Sequence, residues 1–446
     1  MREVDLFLFD SDWLVTCDPK MTRFRSGAIA VDGGRLVGVG TSDELKISFR
    51  GREQIDLRGY LLMPGLVNTH THAAMSLFRG LADDLPLDKW LNEIIFPAEA
   101  AVINRDTVFL GSLLSILEML KGGVTTFCDG YFFEEAVAAA ALKSGIRAVL
   151  GQGILDFPAP DQRDPDQSQQ RAKDFLARFP AQTDRVRPSL FCHAPYTCGP
   201  KTLQWVKQLC RDNNILFQTH LSETAQEVAT IKHRYQQSPV EYLEKIGILD
   251  ELTLCAHGVW LSHREINILA REKTSLSLCP ESNMKLGSGV APVSELLSSG
   301  VQMGLGTDGC ASNNNLDLFS EMDKAAKLEK VFRNDPLATP AELVLRMATI
   351  GGASALGLGN ETGSLELGKK ADIIAISINQ PHLMPMYDPV SHLVYSANGS
   401  DVRFVWVDGI PVVANGTARF LHEADIISEA GRVGKEIFAH WKASGL

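Results

Sequence analysis

The chain has 446 residues, 45% of them hydrophobic, which suffices for one large domain plus a smaller one. Its formal net charge of -11 at pH 7 is unfavourable for a surface that binds nucleic acid, so we expect no nucleic-acid partner. The apolar runs are short and interrupted by Gly, Pro or polar residues, so we expect no membrane span.

The amino-terminal run MREVDLFLFDSDWLV has acidic residues inside its apolar part and no small-residue cleavage site. We interpret it as a first strand rather than a signal peptide. The eight cysteines show no CxxC spacing and several lie in apolar strand-like runs, which predicts buried, reduced thiols in a cytoplasmic protein. The sequence is compatible with a homo-oligomer but does not specify one.

Both ends of the chain are β-rich. Residues 1–57 alternate short strand candidates with turn signals, as in VDGGRLVGVG, and residues 366–420 do the same, as in LGKKADIIAIS and VRFVWVDGIPVVANG. We predict that these two segments form one small, discontinuous β-sandwich domain. Residues 421–446 are predicted to form a C-terminal helical segment.

The middle of the chain, residues 58–365, alternates strand candidates with helix candidates. Eight apolar runs precede helical segments: LLMPGLVNTH, GVTTFCDG, RAVLGQGILDF, PSLFCHAPYT, ILFQTHLSET, LTLCAHGVW, SLSLCPESN and QMGLGTDG. Eight strand-then-helix units predict an α/β fold, a (β/α)8 TIM barrel. An open doubly wound sheet is the alternative, but the GxGxxG loop that normally follows its first strand is absent.

Polar residues end several of these apolar runs, where a barrel places its active-site mouth. His70 and His72 are two residues apart, so an extended strand directs both to one side. The other strand-end groups are His193, His220, His257 and Asp308. One strand-end histidine is usually a satisfied polar residue, but HxH with a further strand-end histidine and Asp308 predicts a divalent metal site.

Glu223 follows His220 by three residues, where the strand gives way to a loop. A carboxylate there is placed to take a proton from a metal-activated water and pass it to a leaving group or ring nitrogen. The alternative role is that of a carboxylate at a helix N-terminus. His257 is the remaining strand-end imidazole suited to hydrogen-bond the attacking hydroxide.

The motifs PGLVNTHTH, THLSET, AHGVW and GTDG together resemble the amidohydrolase superfamily. The resemblance implies a metal-bound (β/α)8 barrel with a composite β-sandwich, proton transfer by Glu223, and orientation of the nucleophile by His257 and Asp308. Its fourth strand lacks the lysine that bridges two metals in some branches, so one divalent metal is expected, zinc or ferrous iron. The implied ligands are His70, His72, His220 and Asp308.

Within the superfamily the chain resembles the 5'-methylthioadenosine/S-adenosylhomocysteine deaminases, through HTHAAMSLFRGLADDLPLDKWLNEIIFPAE, CHAPYTC and GTDGCASNNNLDLFSEM. The resemblance implies hydrolytic deamination of an adenosine-type nucleoside to its inosine analogue plus ammonia. It also implies that Trp90 packs against the nucleoside, Glu99 binds the ribose hydroxyls, and His193 and Glu223 contact the purine. The alternatives are a plain core role for Trp90 and an exposed helix position for Glu99.

One departure concerns the arginine that faces the amino-acid carboxylate of S-adenosylhomocysteine in well-known family members. The corresponding region reads DFPAPDQRDPDQSQQRAKDF, and neither Arg163 nor Arg171 aligns convincingly with that arginine. The sequence therefore favours methylthioadenosine or adenosine over S-adenosylhomocysteine. Two other functions stay open: hydrolysis of another amino- or chloro-substituted heterocycle, such as guanine or a triazine, and a non-catalytic metal-binding scaffold.

Overall fold

The computed structural model describes residues 1–162, 164, 167–179 and 185–443, so Arg163 lies outside the described residues. The strands in chain order are β1 (Arg2–Val15), β2 (Arg23–Asp32), β3 (Arg35–Thr41), β4 (Phe49–Asp56), β5 (Tyr60–Pro64), β6 (Leu66–Thr71), β7 (Val124–Tyr131), β8 (Arg147–Ile154), β9 (Val186–Cys192), β10 (Phe217–Leu221), β11 (Thr253–His257), β12 (Ser275–Leu278), β13 (Met303–Leu305), β14 (Ile373–Ser377), β15 (Val402–Val407), β16 (Ile410–Ala414) and β17 (Thr417–Ala418).

Eight parallel strands, β6 to β13, close into a barrel in the order β10-β11-β12-β13-β6-β7-β8-β9. The eight apolar runs of the sequence each contribute one of these strands, so the predicted (β/α)8 barrel is confirmed. β7 and β8 are buried along their whole length. Burial on both faces explains why these strands are continuous apolar runs rather than alternating ones.

The remaining nine strands form one sheet, in the order β17-β16-β15-β14-β5-β1-β2-β3 with β4 paired to β1. β5 is the junction between the two ends of the chain, because it pairs in parallel with β1 and antiparallel with β14. A separate sheet from both termini fits the predicted composite β-domain. The domain boundaries themselves stay a prediction, although the pairing assigns β5 to this sheet and not to the barrel.

The run LLMPGLVNTH is two strands rather than one, and the break falls at Gly65. Its N–H donates to the carbonyl oxygen of Asp372 at 3.0 Å. A Cβ at this position would lie 2.1 Å from Thr125 Oγ1, so only glycine fits between β5 and β6. The chain thus passes from the terminal sheet into the barrel across a single residue.

Arg147 links the barrel to the terminal sheet through a buried ion pair. It begins β8, and its guanidinium binds both carboxylate oxygens of Asp372 at 3.0 Å. A further contact of 2.7 Å joins Nη2 to Asp408 Oδ1 in the β15–β16 turn. Asp372 is fully buried, and the paired carboxylates raise the pKa of Arg147 even though burial, the largest single influence, acts to lower it. The buried positive charge of Arg147 is therefore paired with the buried negative charge of Asp372.

The α-helices surround the barrel and cap the sheet: α1 (Ser42–Ser48), α2 (Leu87–Lys89), α3 (Phe96–Val102), α4 (Arg105–Lys121), α5 (Glu134–Ser144), α6 (Ser168–Arg178), α7 (Pro200–Asn213), α8 (Ala225–Tyr235), α9 (Pro239–Lys245), α10 (His263–Arg271), α11 (Pro280–Lys285), α12 (Val293–Ser298), α13 (Leu318–Arg333), α14 (Ala341–Arg346), α15 (Gly352–Ala355), α16 (Pro389–Tyr395) and α17 (Glu423–Ala443). Short 3-10 turns occupy Ala73–Phe78, Pro381–Leu383 and Gly399–Asp401, and π-helical winding occurs at Trp90–Ile95 and Met347–Gly351. The eight cysteines are buried and unpaired, as predicted.

Within the described ranges, no single helix has the length and apolarity of a membrane span. The segments Trp90–Val102 and Arg105–Lys121, bent by 113° relative to each other, meet those criteria only as a pair.

Candidate active site

Four side chains converge at the carboxyl ends of barrel strands. His70 lies in β6 and His220 in β10, while His72 and Asp308 lie just beyond the ends of β6 and β13. One donor atom from each of the four residues lies within 4.8 Å of the others. Asp308 Oδ1 is 3.4 Å from His70 Nε2 and 3.2 Å from His72 Nε2, and the Nε2 atoms of His70 and His220 are 3.2 Å apart.

This donor set fits a divalent metal ion. Zinc bonds to nitrogen and oxygen of about 2.0–2.2 Å place neighbouring donors of a tetrahedral site roughly 3.3–3.6 Å apart. The three donor separations given above fall close to that range. Three imidazoles and one carboxylate are also ligands that zinc accepts while it keeps a position open for water or substrate.

Burial favours the neutral form, which binds a metal, in two of the three histidines. It lowers the pKa of His70 to about 4 and that of His220 well below its ordinary value, so both imidazoles are neutral near pH 7. Burial, the largest influence, acts to raise the pKa of Asp308, but hydrogen bonds with His70 and His72 hold that pKa well below its usual range. Burial acts to lower the pKa of His72, but the contact with Asp308 raises that pKa to about 9. The cluster thus offers two neutral imidazoles and an ionised carboxylate, and His72 must release a proton when a metal binds.

Neighbouring polar groups orient these candidate ligands. The hydroxyls of Ser282 and Ser312 both donate to Asp308 Oδ2 at 2.7 Å, which leaves Oδ1 directed at the histidines. His72 Nδ1 lies 2.6 Å from the carbonyl oxygen of Gly130, and a carbonyl can only accept, so Nδ1 carries the proton and Nε2 is free to bind. Both serines follow strand ends, in CPES and GCAS, and neither belongs to a motif that predicts a role at the site.

Glu223 and His257 stand beside the cluster. Glu223 Oε2 is 3.8 Å from His257 Nε2, and burial raises the pKa of Glu223. His257 Nδ1 is 2.9 Å from Asn283 Oδ1, an acceptor that fixes the orientation of the imidazole ring. The N-cap of α8 is Thr224, whose hydroxyl accepts from the Glu227 N–H, so Glu223 does not cap that helix.

The substrate-binding candidates line one pocket with this cluster. The pocket has a volume of about 740 Å³, its mouth included, and its walls include Trp90, Glu99, His193, Glu223 and His257. Trp90 is 5% exposed and Glu99 only 4% exposed, so the alternative of an exposed helix position for Glu99 is wrong.

Glu99 and His193 each have a hydrogen-bond partner in the pocket wall. The Tyr131 hydroxyl donates to Glu99 Oε1 at 2.5 Å, and burial raises the pKa of Glu99 to about 7. His193 Nδ1 contacts Thr197 Oγ1 at 3.1 Å, and burial lowers the pKa of His193 to about 3. Tyr131 ends β7, and its sequence position alone gives no indication of this contact.

Arg171 is engaged away from the cluster. Its Nη2 lies 3.1 Å from Asp161 and 4.0 Å from Glu135, and its guanidinium packs 5.4 Å from the ring centre of Phe133. Asp161 is fully buried and also accepts from Gln152. Arg171 therefore serves an internal ion pair.

Known proteins show the same organisation. The model of the amidohydrolase family matches residues 61–412. A relative from Syntrophobacter fumaroxidans, named 5-methylthioadenosine/S-adenosylhomocysteine deaminase, is 46% identical over 91% of this chain and 92% of its own length. A 5'-deoxyadenosine deaminase from Methanosarcina acetivorans is 42% identical over 97% of this chain and 98% of its own length. The structure of an adenosine deaminase from Xanthomonas campestris with bound zinc superposes with a TM-score of 0.96, at 36% identity over 98% of this chain and 99% of that one. The chain belongs to the amidohydrolase family.

Proposed function

We propose that the chain catalyses hydrolytic deamination of adenosine-type nucleosides, such as methylthioadenosine and adenosine, to the inosine analogue plus ammonia. The observation that carries the proposal is the shared pocket, whose lining includes Glu99 and Glu223 together with His72, His220 and Asp308 of the cluster. Glu99 is a buried carboxylate group suited to two hydroxyl partners, which a ribose supplies and a bare ring does not. The names of the relatives agree with this substrate class.

One divalent metal, held by His70, His72, His220 and Asp308, is part of the proposal. Zinc is supported by the donor set and by the zinc in the Xanthomonas campestris structure, and ferrous iron suits the same ligands. When bound, the ion supplies a Lewis acid that lowers the pKa of water to near 7.

Glu223 is the proposed proton carrier. Its carboxylate accepts a proton from the attacking water and delivers that proton to N1 of the purine while oxygen bonds to C6. His257 Nε2 and the Asp308 carboxylate orient the water, and they accept its second proton as the tetrahedral carbon collapses. That second proton is passed to the amino nitrogen, the C6–N bond breaks, and ammonia leaves with one proton from water, while the proton delivered by Glu223 stays on N1 of the inosine analogue.

Trp90, Glu99 and His193 are proposed to position the nucleoside. The indole face of Trp90 covers a flat or thioether group, and the Glu99 carboxylate accepts hydrogen bonds from the ribose hydroxyls. His193 is neutral because burial lowers its pKa to about 3. With the Thr197 hydroxyl donating to Nδ1, Nε2 carries the proton and can donate to a ring nitrogen of the purine.

The test is ammonia release by protein of measured metal content from methylthioadenosine, adenosine, S-adenosylhomocysteine, guanine and an amino-triazine. The proposal expects turnover of the nucleosides and little or none of the two bare rings. Preferential turnover of guanine or the triazine would refute the nucleoside assignment. Metal-replete protein inert on all five would favour a non-catalytic scaffold.

A further inference from the structure

A buried carboxylate, that of Glu227, contacts the turn between β10 and α8. Its Oε1 accepts the backbone N–H of Ser222, and its Oε2 accepts the backbone N–H of Glu223, both at 2.8 Å. Burial raises the pKa of Glu227 to about 7, while these two hydrogen bonds act to lower it. The backbone of Glu223 is therefore fixed by a side chain four residues further along the chain.

This contact differs from the ordinary cap of a helix. In a capping box, the side chain at the third helical position accepts the backbone N–H of the N-cap residue. Glu44, Glu241 and Glu265 follow this pattern in α1, α9 and α10. Glu227 occupies the same position in α8, but it accepts from the two residues before the N-cap, which is Thr224. The Thr224 hydroxyl caps the helix, and the Glu227 carboxylate holds the chain that precedes it.

The backbone of that preceding chain is strained. Ser222 has a φ of 52°, a left-handed conformation that residues other than glycine rarely adopt. Its N–H donates to Glu227, and its carbonyl oxygen accepts the N–H groups of Val259 at 3.1 Å and Trp260 at 2.9 Å, just beyond β11. Ser222 is thus held on both sides, and its conformation sets the direction in which Glu223 leaves the strand.

We propose that Glu227 is a positioning residue for the deamination, which holds the Glu223 carboxylate where it can transfer a proton. The inference rests on the proposed function, because it requires Glu223 to carry that proton. A proton carrier must lie within hydrogen-bond reach of both the water and the purine nitrogen. A displacement of about 1 Å at such a group costs on the order of 10²-fold in rate. Glu227 acts on the reaction through the backbone of Glu223.

The first test is Glu227→Gln in the metal-loaded enzyme, assayed by ammonia release from methylthioadenosine near pH 8, above the pKa of Glu227. The amide keeps the size of the side chain and one acceptor oxygen, but it turns an NH2 group towards the second backbone N–H. We expect kcat to fall by about 10- to 100-fold, while KM and the metal content stay near the wild-type values.

Glu265→Gln is the matched control. Glu265 is a buried carboxylate at the third position of α10, and it accepts the N–H of its own N-cap residue, Ser262, at 2.9 Å. We expect this variant to keep kcat within about twofold of the wild type. An equal loss of kcat in Glu227→Gln and Glu265→Gln, or no loss in Glu227→Gln, would overturn the inference.

A double variant separates positioning from a general structural defect. When Glu227→Gln is added to Glu223→Gln, the carboxylate that Glu227 positions is already absent. We expect a further fall in kcat of less than about twofold, whereas independent defects would multiply. Multiplied losses overturn the inference and leave the proposed function standing. Full activity of Glu223→Gln, or a wild type inert on nucleosides, overturns the proposed function itself.

Glu227→Asp carries the same comparison if Glu227→Gln does not fold. The aspartate keeps the charge, but its side chain is one carbon shorter and cannot reach both backbone N–H groups at the present distances. We expect a lower kcat at an unchanged KM and metal content. Wild-type kcat in Glu227→Asp would overturn the inference.

Discussion

Replacing Arg147 by Met tests the contact between barrel and terminal sheet. The change removes the two hydrogen bonds of 3.0 Å to Asp372, a fully buried carboxylate, while Asp408 keeps Arg185 at 2.8 Å. Removing one partner of a buried ion pair costs about 3–5 kcal/mol. Unfolding 446 residues carries an entropy of about 0.9 kcal/mol/K, so the Tm should fall by about 3–5 °C.

The assay is calorimetric unfolding at one scan rate and one metal loading, because a protein of this size can unfold irreversibly. Arg52→Met is the matched control: Arg52 pairs with Glu3 and Asp5 on the surface and is 69% exposed, so its loss should not shift the Tm measurably. Asp372→Asn added to Arg147→Met should recover part of the loss, since it removes the orphaned charge. A Tm within 1 °C of the wild type for Arg147→Met would refute the reasoning.

Three further predictions concern the site. Glu223→Gln should lower kcat by about 10²–10⁴-fold and keep its metal, as measured by elemental analysis beside the rate; substantial residual deamination would remove Glu223 from its role. His220→Ala should lose most of its metal on dialysis, and a metal content equal to that of the wild type would show that His220 is not a ligand. The pKa of Glu99 is about 7 when folded and near 4.5 when unfolded, so its stabilising effect is complete below pH 4.5 and is lost as pH rises through 7. Glu99→Gln should therefore be more stable than the wild type at pH 8, by up to about 3 kcal/mol, and the gain should vanish at pH 4.5; a gain independent of pH in denaturant titrations would contradict this assignment.

Much of the fold was predictable because buried parallel strands leave a strong signal. β7 and β8 are uninterrupted apolar runs, and each barrel strand is followed by helical sequence in the predicted order. The residues of the metal cluster could also be predicted from the sequence, since His70, His220 and Asp308 end or closely follow apolar runs. Their convergence within 4.8 Å agrees with the prediction, while their roles stay proposals. The cytoplasmic location and the oligomeric state stay predictions as well.

The sequence could not reveal contacts made between distant segments. Ser282 and Asn283 lie in the short helix α11 and Ser312 in a turn, and only the fold brings them to His257 and Asp308. The sequence did not predict that LLMPGLVNTH divides into two strands, because both strands are extended and differ mainly in the sheet that they join. Local propensity does not distinguish those partners.

The single-residue passage at Gly65 has a consequence for the order of assembly during synthesis. β5 pairs with β1, which leaves the ribosome early, and with β14, which follows more than 300 residues later. His70 lies five residues beyond Gly65, so the first two residues of the cluster closely follow β5. One edge of β5 stays unpaired until β14 has been synthesised. Because domains fold as units as the chain emerges, we expect the terminal sheet and the metal centre to acquire their final order together, late in translation.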